Sequence, residues 1–149
     1  MVGQLTFPRL GLLLCGTLLL AGCGGGGAVA TKGEMAPEER HILKVASLYA
    51  QYKREHKEKA PASLDDLKAY AKKLPKEKQH QFGVEDPERM FISPRDNQPY
   101  GLNKVGPESE GMNRILVYEK VGVNGRRMTA SPVGTVAEMD EGEFRKWVK

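Results

Sequence analysis

Two proline-bounded stretches with a helical repeat precede a half with a strand repeat, and this change of period limits the fold more than any other feature of the chain. Pro37 suits a first helical position, and Glu38 and Glu39 complement the helix dipole behind it. Ile42, Val45, Tyr49 and Tyr52 then recur at spacings of three, four and three, with Ala46 and Leu48 widening the stripe. The spacing predicts an amphipathic helix over residues 37–59, its aromatic stripe serving as core, until Pro61 breaks it. Ser63 restarts a helix as N-cap, Asp65 and Asp66 fill the first turn, and Leu64, Leu67, Tyr70, Ala71 and Leu74 form one apolar face up to Pro75. Residues 76–87 are polar and read as a loop that carries His80 on the surface.

After residue 88 the turn formers multiply and the apolar runs shorten. Residues 90–92 are a short apolar run, "SPRDNQP" is dense in turn residues, and residues 100–103 begin a strand. Residues 106–113 read as loop, and "RILVYEKV" over 114–121 is rich in β-branched and aromatic residues. Asn124-Gly125 is the strongest short hairpin signal, because both turn positions need positive φ. Residues 126–130 return antiparallel, and residues 135–139 give a further strand. Asp140 and Glu143 make a capping box for a closing helix whose Phe144, Trp147 and Val148 are expected to face inward. The expected fold is α+β: a long N-terminal amphipathic helix and a second helix packed on one face of a small antiparallel β-meander, with a short C-terminal helix.

The start of the chain belongs to a different kind of segment. Residues 1–22 carry one charge, Arg9, ahead of an apolar run over 10–21. Twelve residues are too few to cross a bilayer, which takes about 20, but they suit the apolar region of a signal peptide. Leu20-Ala21-Gly22-Cys23 follows without a gap and resembles a bacterial lipobox, in which the cysteine is acylated and the leader removed just before it. An ordinary cleavage pattern at Ala28-Val29-Ala30 is the competing site, about ten residues beyond the apolar run. Cleavage at Cys23 discards Cys15 and leaves one cysteine, so no intramolecular disulfide can form. Stable anchoring takes about two lipid chains, which a lipobox cysteine receives as diacylglycerol and an acyl group such as palmitate.

The expected organisation is a leader over 1–22, a lipidated Cys23 with a glycine-rich tether over 23–36, and one soluble domain over 37–149. Export to the cell envelope, facing periplasm or surface, excludes nucleic acid as a natural partner. Gly24 stands where an aspartate would resemble an inner-membrane retention signal, which favours the outer membrane.

Loss of Arg9 with the leader leaves 22 of the 23 basic residues against 19 acidic ones. Much of the surplus lies between Lys53 and Lys78, where Lys72, Lys73, Lys76 and Lys78 form the densest group. Such a run is either a solvated helical face or a patch for anionic headgroups, cell-wall polymer or an acidic envelope protein.

Signs of catalysis are few. His41 and His56 share one side of the first predicted helix but lie about 22 Å apart along its axis, so one metal cannot hold both, and the histidines are expected to be exposed. Asp65 and Asp66 fit capping, and "GPESEGMNR" lacks the spacing of a nucleophile elbow. No catalytic residue, metal ligand or cofactor is assigned. A non-enzymatic binding or structural module is the leading expectation, and an envelope hydrolase or metal-dependent enzyme is the alternative.

"PASLDDL" after a long amphipathic helix, "ISPRDNQPYGL", "ILVYEK" and a final strand leading into "EGEF" resemble uncharacterised bacterial envelope lipoproteins. Those are similar in turn to the soluble domain of type II secretion pseudopilins, the G-type major subunit in particular. The resemblance spans residues 37–147 and implies a pseudopilin-like scaffold with a link to secretion systems. It also implies calcium as a candidate ligand, with Asp96, Asp140 or Glu141 as oxygen donors. Pseudopilins carry a processed N-terminal helix with a glutamate near its start, and this chain departs from them by carrying a lipobox there.

Overall fold

The computed structural model describes residues 34–104 and 114–148. The leader, Cys23, most of the tether and the loop expected at 106–113 lie outside the described residues. The order of elements is α1 (Pro37–Glu55), α2 (Leu64–Lys73), α3 (Lys76–Gln81), a 3-10 turn (Arg89–Phe91), β1 (Gly101–Leu102), β2 (Val117–Tyr118), β3 (Arg126–Ala130), β4 (Val136–Asp140) and α4 (Glu141–Trp147). The strands form one antiparallel sheet in the order β1-β2-β3-β4, and the α+β architecture is the one that the change of period predicts.

The predicted stripe of α1 is its buried face. Ile42, Val45, Leu48 and Tyr49 are fully buried, with Ala46 beside them, while Tyr52 is only partly covered. At its start Glu39 accepts the Ala36 N–H at 2.9 Å, doing from the first turn what the alanine side chain cannot. The helix stops at Glu55 and not at residue 59, because Lys57 and Glu58 turn left-handed, with φ of 53° and 62°. The Glu58 N–H then closes on the Lys53 carbonyl at 2.8 Å.

Helix α2 starts as its sequence predicts, with Ser63 Oγ accepting the Asp66 N–H at 3.1 Å, and packs Leu67 and Ala71 against α1. The loop expected over 76–87 is corrected at its start, where Lys76–Gln81 is a short helix. Its purpose is visible in Gln79, whose side-chain amide donates to the Ala71, Lys72 and Leu74 carbonyls at 3.3, 3.2 and 2.9 Å. Those carbonyls are the open end of α2, so α3 serves as its C-terminal cap.

The strand half follows the predicted hairpin. Asn124 and Gly125 both have positive φ, at 53° and 72°, and pairing begins between Val123 and Arg126. The full ladder of β2 covers only Val117–Tyr118, shorter than the strand expected over 114–121. Flanking bonds from the Leu116 N–H to the Ala130 carbonyl and from the Glu119 N–H to the Met128 carbonyl, each 2.9 Å, extend its contact with β3.

Alternation along the strands assigns the two faces. Leu102, Val117, Ala130 and Val136 occupy matched positions and join the core with α1. Gly101, Tyr118, Thr129 and Ala137 are matched on the opposite face. A β-carbon at Gly101 would lie 2.2 Å from the Tyr118 ring, so the glycine is what lets that ring lie across β1.

Helix α4, the short closing helix that the sequence predicts, covers part of this second face. Asp140 Oδ1 accepts the Glu143 N–H at 2.9 Å as the capping box predicts. Phe144 is buried, with its ring 5.0 Å from that of Tyr118 and the Arg127 guanidinium 4.5 Å above it. Trp147, expected to face inward, is instead 49% exposed. A helix of seven residues turns one narrow stripe to the sheet, and Phe144 occupies it.

Candidate functional site

The lysines singled out in the sequence gather at the end of α2 and on α3, and acids from other elements reach them. Lys72 Nζ lies 2.6 Å from Glu88 Oε1, and Lys68 Nζ lies 3.3 Å from the other oxygen of the same carboxylate. These two ammonium groups hold the Glu88 carboxyl below its ordinary pKa. Lys78 Nζ lies 3.1 Å from Glu55 Oε1, while Gln51 and the Tyr70 hydroxyl donate to Glu55 at 2.7 and 2.8 Å. The three hydrogen bonds, with that of Gln51 the largest, lower the Glu55 pKa to about 2. Lys76 donates to the Gln79 side chain at 3.3 Å, and Lys73 has no acid within ion-pair distance among the described residues. The charge run is therefore a surface in which Lys72 and Lys78 already hold counter-charges.

The residues named for calcium have other tasks. Asp96 accepts the Gly122 N–H at 2.8 Å and the Gln98 N–H at 3.0 Å, closing two turns. Asp140 caps α4, and Glu141 pairs with Arg127 and Arg145 at 2.8 and 2.9 Å, which lowers its pKa. Among the described residues, no three of His, Cys, Asp and Glu come together as a metal would require.

The histidines divide. His80 is exposed, and His56 stacks on Tyr52 with ring centroids 3.9 Å apart. His41 was expected at the surface, but it is half-buried, with Nδ1 3.0 Å from the Tyr100 hydroxyl. Burial, and secondarily Lys44, lowers its pKa, while burial raises that of Tyr100.

Two polar groupings escape the sequence analysis. In the first, Glu119 is 1% exposed and accepts from Ser93 Oγ and from the Met128 N–H, each at 2.8 Å. Arg95 reaches its second oxygen at 3.7 Å and also pairs with Glu138 on β4. Ser93 Oγ accepts the Arg95 N–H at 3.1 Å, so this cluster pins the "SPRD" turn to β2 and β3. Its signal in the sequence is parity, since Glu119 lies two residues after the inward-facing Val117.

The second grouping is a cleft of about 280 Å³ between the last turns of α1 and the entry to β2. Lys53, Arg54, Arg114, Glu58 and Ser47 line it around an apolar floor at Leu116. Lys53 is 7% exposed, and its Nζ lies 3.2 Å from Glu58. Its signal is again periodic: Lys53 follows Tyr49 by four residues and continues the buried stripe with a charge.

Among the described residues, no helix is long and apolar enough to cross a membrane. No family model matches the chain, and neither the curated proteins nor the solved structures contain a significant match to it.

Proposed function

We propose that this chain is a lipoprotein of the cell envelope, held to a membrane by lipid on Cys23, whose soluble domain is a non-enzymatic binding or structural module. The observation that carries the anchor is Leu20-Ala21-Gly22-Cys23 set directly against the apolar run of the leader. The module reading is supported by how the interior polar groups are used. Ser93 and Glu119 bond to each other and to the backbone, and Arg95 forms an ion pair with Glu119, which together stabilise a turn and a strand. A long helix seated on an antiparallel sheet also supports a pseudopilin-like scaffold, here put to use beside a membrane and not in a filament.

Intact-mass measurement of the membrane fraction tests the anchor. The expected product begins at Cys23 and carries diacylglycerol, and Cys23→Ser is expected to release the protein or leave it unprocessed. An unmodified chain starting at Thr31 refutes the anchor. Contact with an anionic partner through Lys72, Lys73, Lys76 and Lys78 is tested by retention on purified cell wall and on anionic vesicles. Reversal of the four lysines to glutamate should lower retention, as should rising salt, which shortens the screening length to about 8 Å at physiological strength.

A further inference from the structure

We infer that the cleft beside the first turns of α1 rests on the lipid surface, with Met35, Leu43 and Phe82 meeting the acyl boundary and Arg40 and Lys44 the anionic headgroups. The inference deepens the lipoprotein reading and rests on it, because lipid on Cys23 is what keeps the domain beside a bilayer.

The cleft has a volume of about 380 Å³ and lies between one stripe of α1 and the end of α3. Arg40, Leu43, Lys44 and Ser47 are its α1 wall, at spacings of three, one and three that keep them on one side of the helix. Leu43 and Phe82 pack against the core yet keep part of their surface open, and Met35 is 39% exposed. Lys44 is laid across Gly83. A β-carbon there would lie 2.8 Å from Lys44 Cε and Nζ, so the glycine, at a φ of 64°, makes room for the lysine stem. Arg40 pairs at 3.5 Å with Glu34, whose side chain is 89% exposed, a contact that water screens and a headgroup can replace. Apolar side chains beside the long stems of basic ones suit headgroup depth, since lysine and arginine carry their charge outward past buried methylenes.

The point where the chain enters the domain selects lipid over the other partners that an apolar cleft can take. Ten residues separate Cys23 from Glu34, and a chain spans at most about 3.6 Å per residue, so this end of the domain stays within roughly 40 Å of the anchored cysteine. Among the described residues the other large apolar side chains left exposed are Val121, Val133 and Trp147, which belong to turns of the strand half and to α4. Met35 is the one of these four that adjoins the tether, so an anchored domain presents the cleft to the bilayer at high effective concentration.

The test is fluorescence quenching in the full-length lipidated protein, reconstituted in vesicles of phosphatidylcholine and phosphatidylglycerol with brominated acyl chains. Trp147 is the only tryptophan of the chain, so Trp147→Phe combined with Ser47→Trp, or with Phe82→Trp, moves the reporter into the cleft. Ser47 is exposed, which protects the fold should Phe82→Trp disturb it. Both reporters should be quenched and shifted to shorter wavelength, and Trp147 in the parent should not. Arg40→Gln and Lys44→Gln should each weaken docking about fivefold, and removal of phosphatidylglycerol should weaken it at least as much.

Flotation of the same samples with their vesicles reads the anchor by itself. Protein that floats with unquenched reporters overturns this inference and leaves the anchor standing, whereas protein that does not float overturns both. Quenching of Trp147 in place of the cleft reporters seats the face that carries α4 on the bilayer and overturns the inference. Cleft reporters shielded from aqueous acrylamide but untouched by the brominated lipid assign the cleft to a protein partner or a second copy, and overturn it as well.

Discussion

Replacing Glu119 by alanine isolates the interaction that most firmly joins the turn region to the sheet. The carboxylate is 1% exposed and accepts two hydrogen bonds of 2.8 Å, one from the Met128 N–H and one from Ser93 Oγ. A buried donor left without an acceptor costs about 1–3 kcal/mol, and the main-chain N–H of Met128 cannot turn to find another. Arg95, with a side chain only 16% exposed, loses one of its two carboxylates, and the missing side chain leaves a void.

Together these effects predict a loss of about 3–5 kcal/mol, the lower end applying if water enters the space. That is a large part of the roughly 5–15 kcal/mol available to a domain. In urea, at a slope of about 1.5 kcal/mol per molar, the midpoint should fall by roughly 2–3 M. Glu119→Gln keeps one acceptor and should fall between parent and alanine. Glu138→Gln removes the other, 43% exposed, partner of Arg95 and should cost less than about 1 kcal/mol. A midpoint shift below about 0.5 M for Glu119→Ala, or an equal loss in Glu138→Gln, refutes the view that burial governs the cluster.

Three further outcomes are expected. Phe144→Ala should cost about 3 kcal/mol by denaturant melting, whereas Trp147→Ala, half-exposed, should cost less than about 1 kcal/mol; equal losses would place both rings in the core. Val-Val in place of Asn124-Gly125 forces branched residues to φ of 53° and 72° and should lower the melting temperature by several degrees, and no change would show that the hairpin closes another way. Folding holds His41 below its free value of 6.5 and so favours the neutral ring; that contribution is complete above the free value and is lost as pH falls through the folded one. Glu55, lowered to about 2, contributes above the ordinary carboxylate range and loses its part as pH falls toward that value. Melting temperature should therefore begin to drop below about pH 6.5, and His41→Gln should remove this upper step while leaving the acid step below about pH 4.5. A parent profile flat from pH 7 to 5 would show that the burial of His41 costs nothing.

Periodicity made the framework legible. The stripe of Ile42, Val45 and Tyr49, the cap at Ser63, the Asn124-Gly125 turn and the box at Asp140 all rest on interactions within a few residues, which a linear reading can follow. What it missed depends on partners far along the chain. Helix α3 exists because the Gln79 side chain meets the open carbonyls of α2, and a window on residues 76–87 alone contains only polar side chains. Trp147 looked like core because it is large and apolar, but seven residues of helix offer one stripe to the sheet, and Phe144 takes it. Lys53 and Glu119 keep the correct inward period, yet their charge removed them from any list of core residues.

Charge shows the same division between near and far. The run from Lys53 to Lys78 is the densest basic segment of the sequence, but its fold brings Glu88 to Lys72 across 16 residues and Glu55 to Lys78 across 23. Arg114 stands sixty positions from Arg54 in the chain, and the approach of β2 to the end of α1 puts both on the wall of one cleft beside Lys53. A segment rich in lysine is thus partly neutralised by the fold, while cations scattered in sequence accumulate. Any attraction exerted by the α2–α3 surface must then come mainly from Lys73 and Lys76, so reversing those two alone should account for most of the loss seen when all four lysines are reversed. Reversing Lys72 and Lys78 should instead set Glu88 and Glu55 against new like charges and lower stability before it lowers retention.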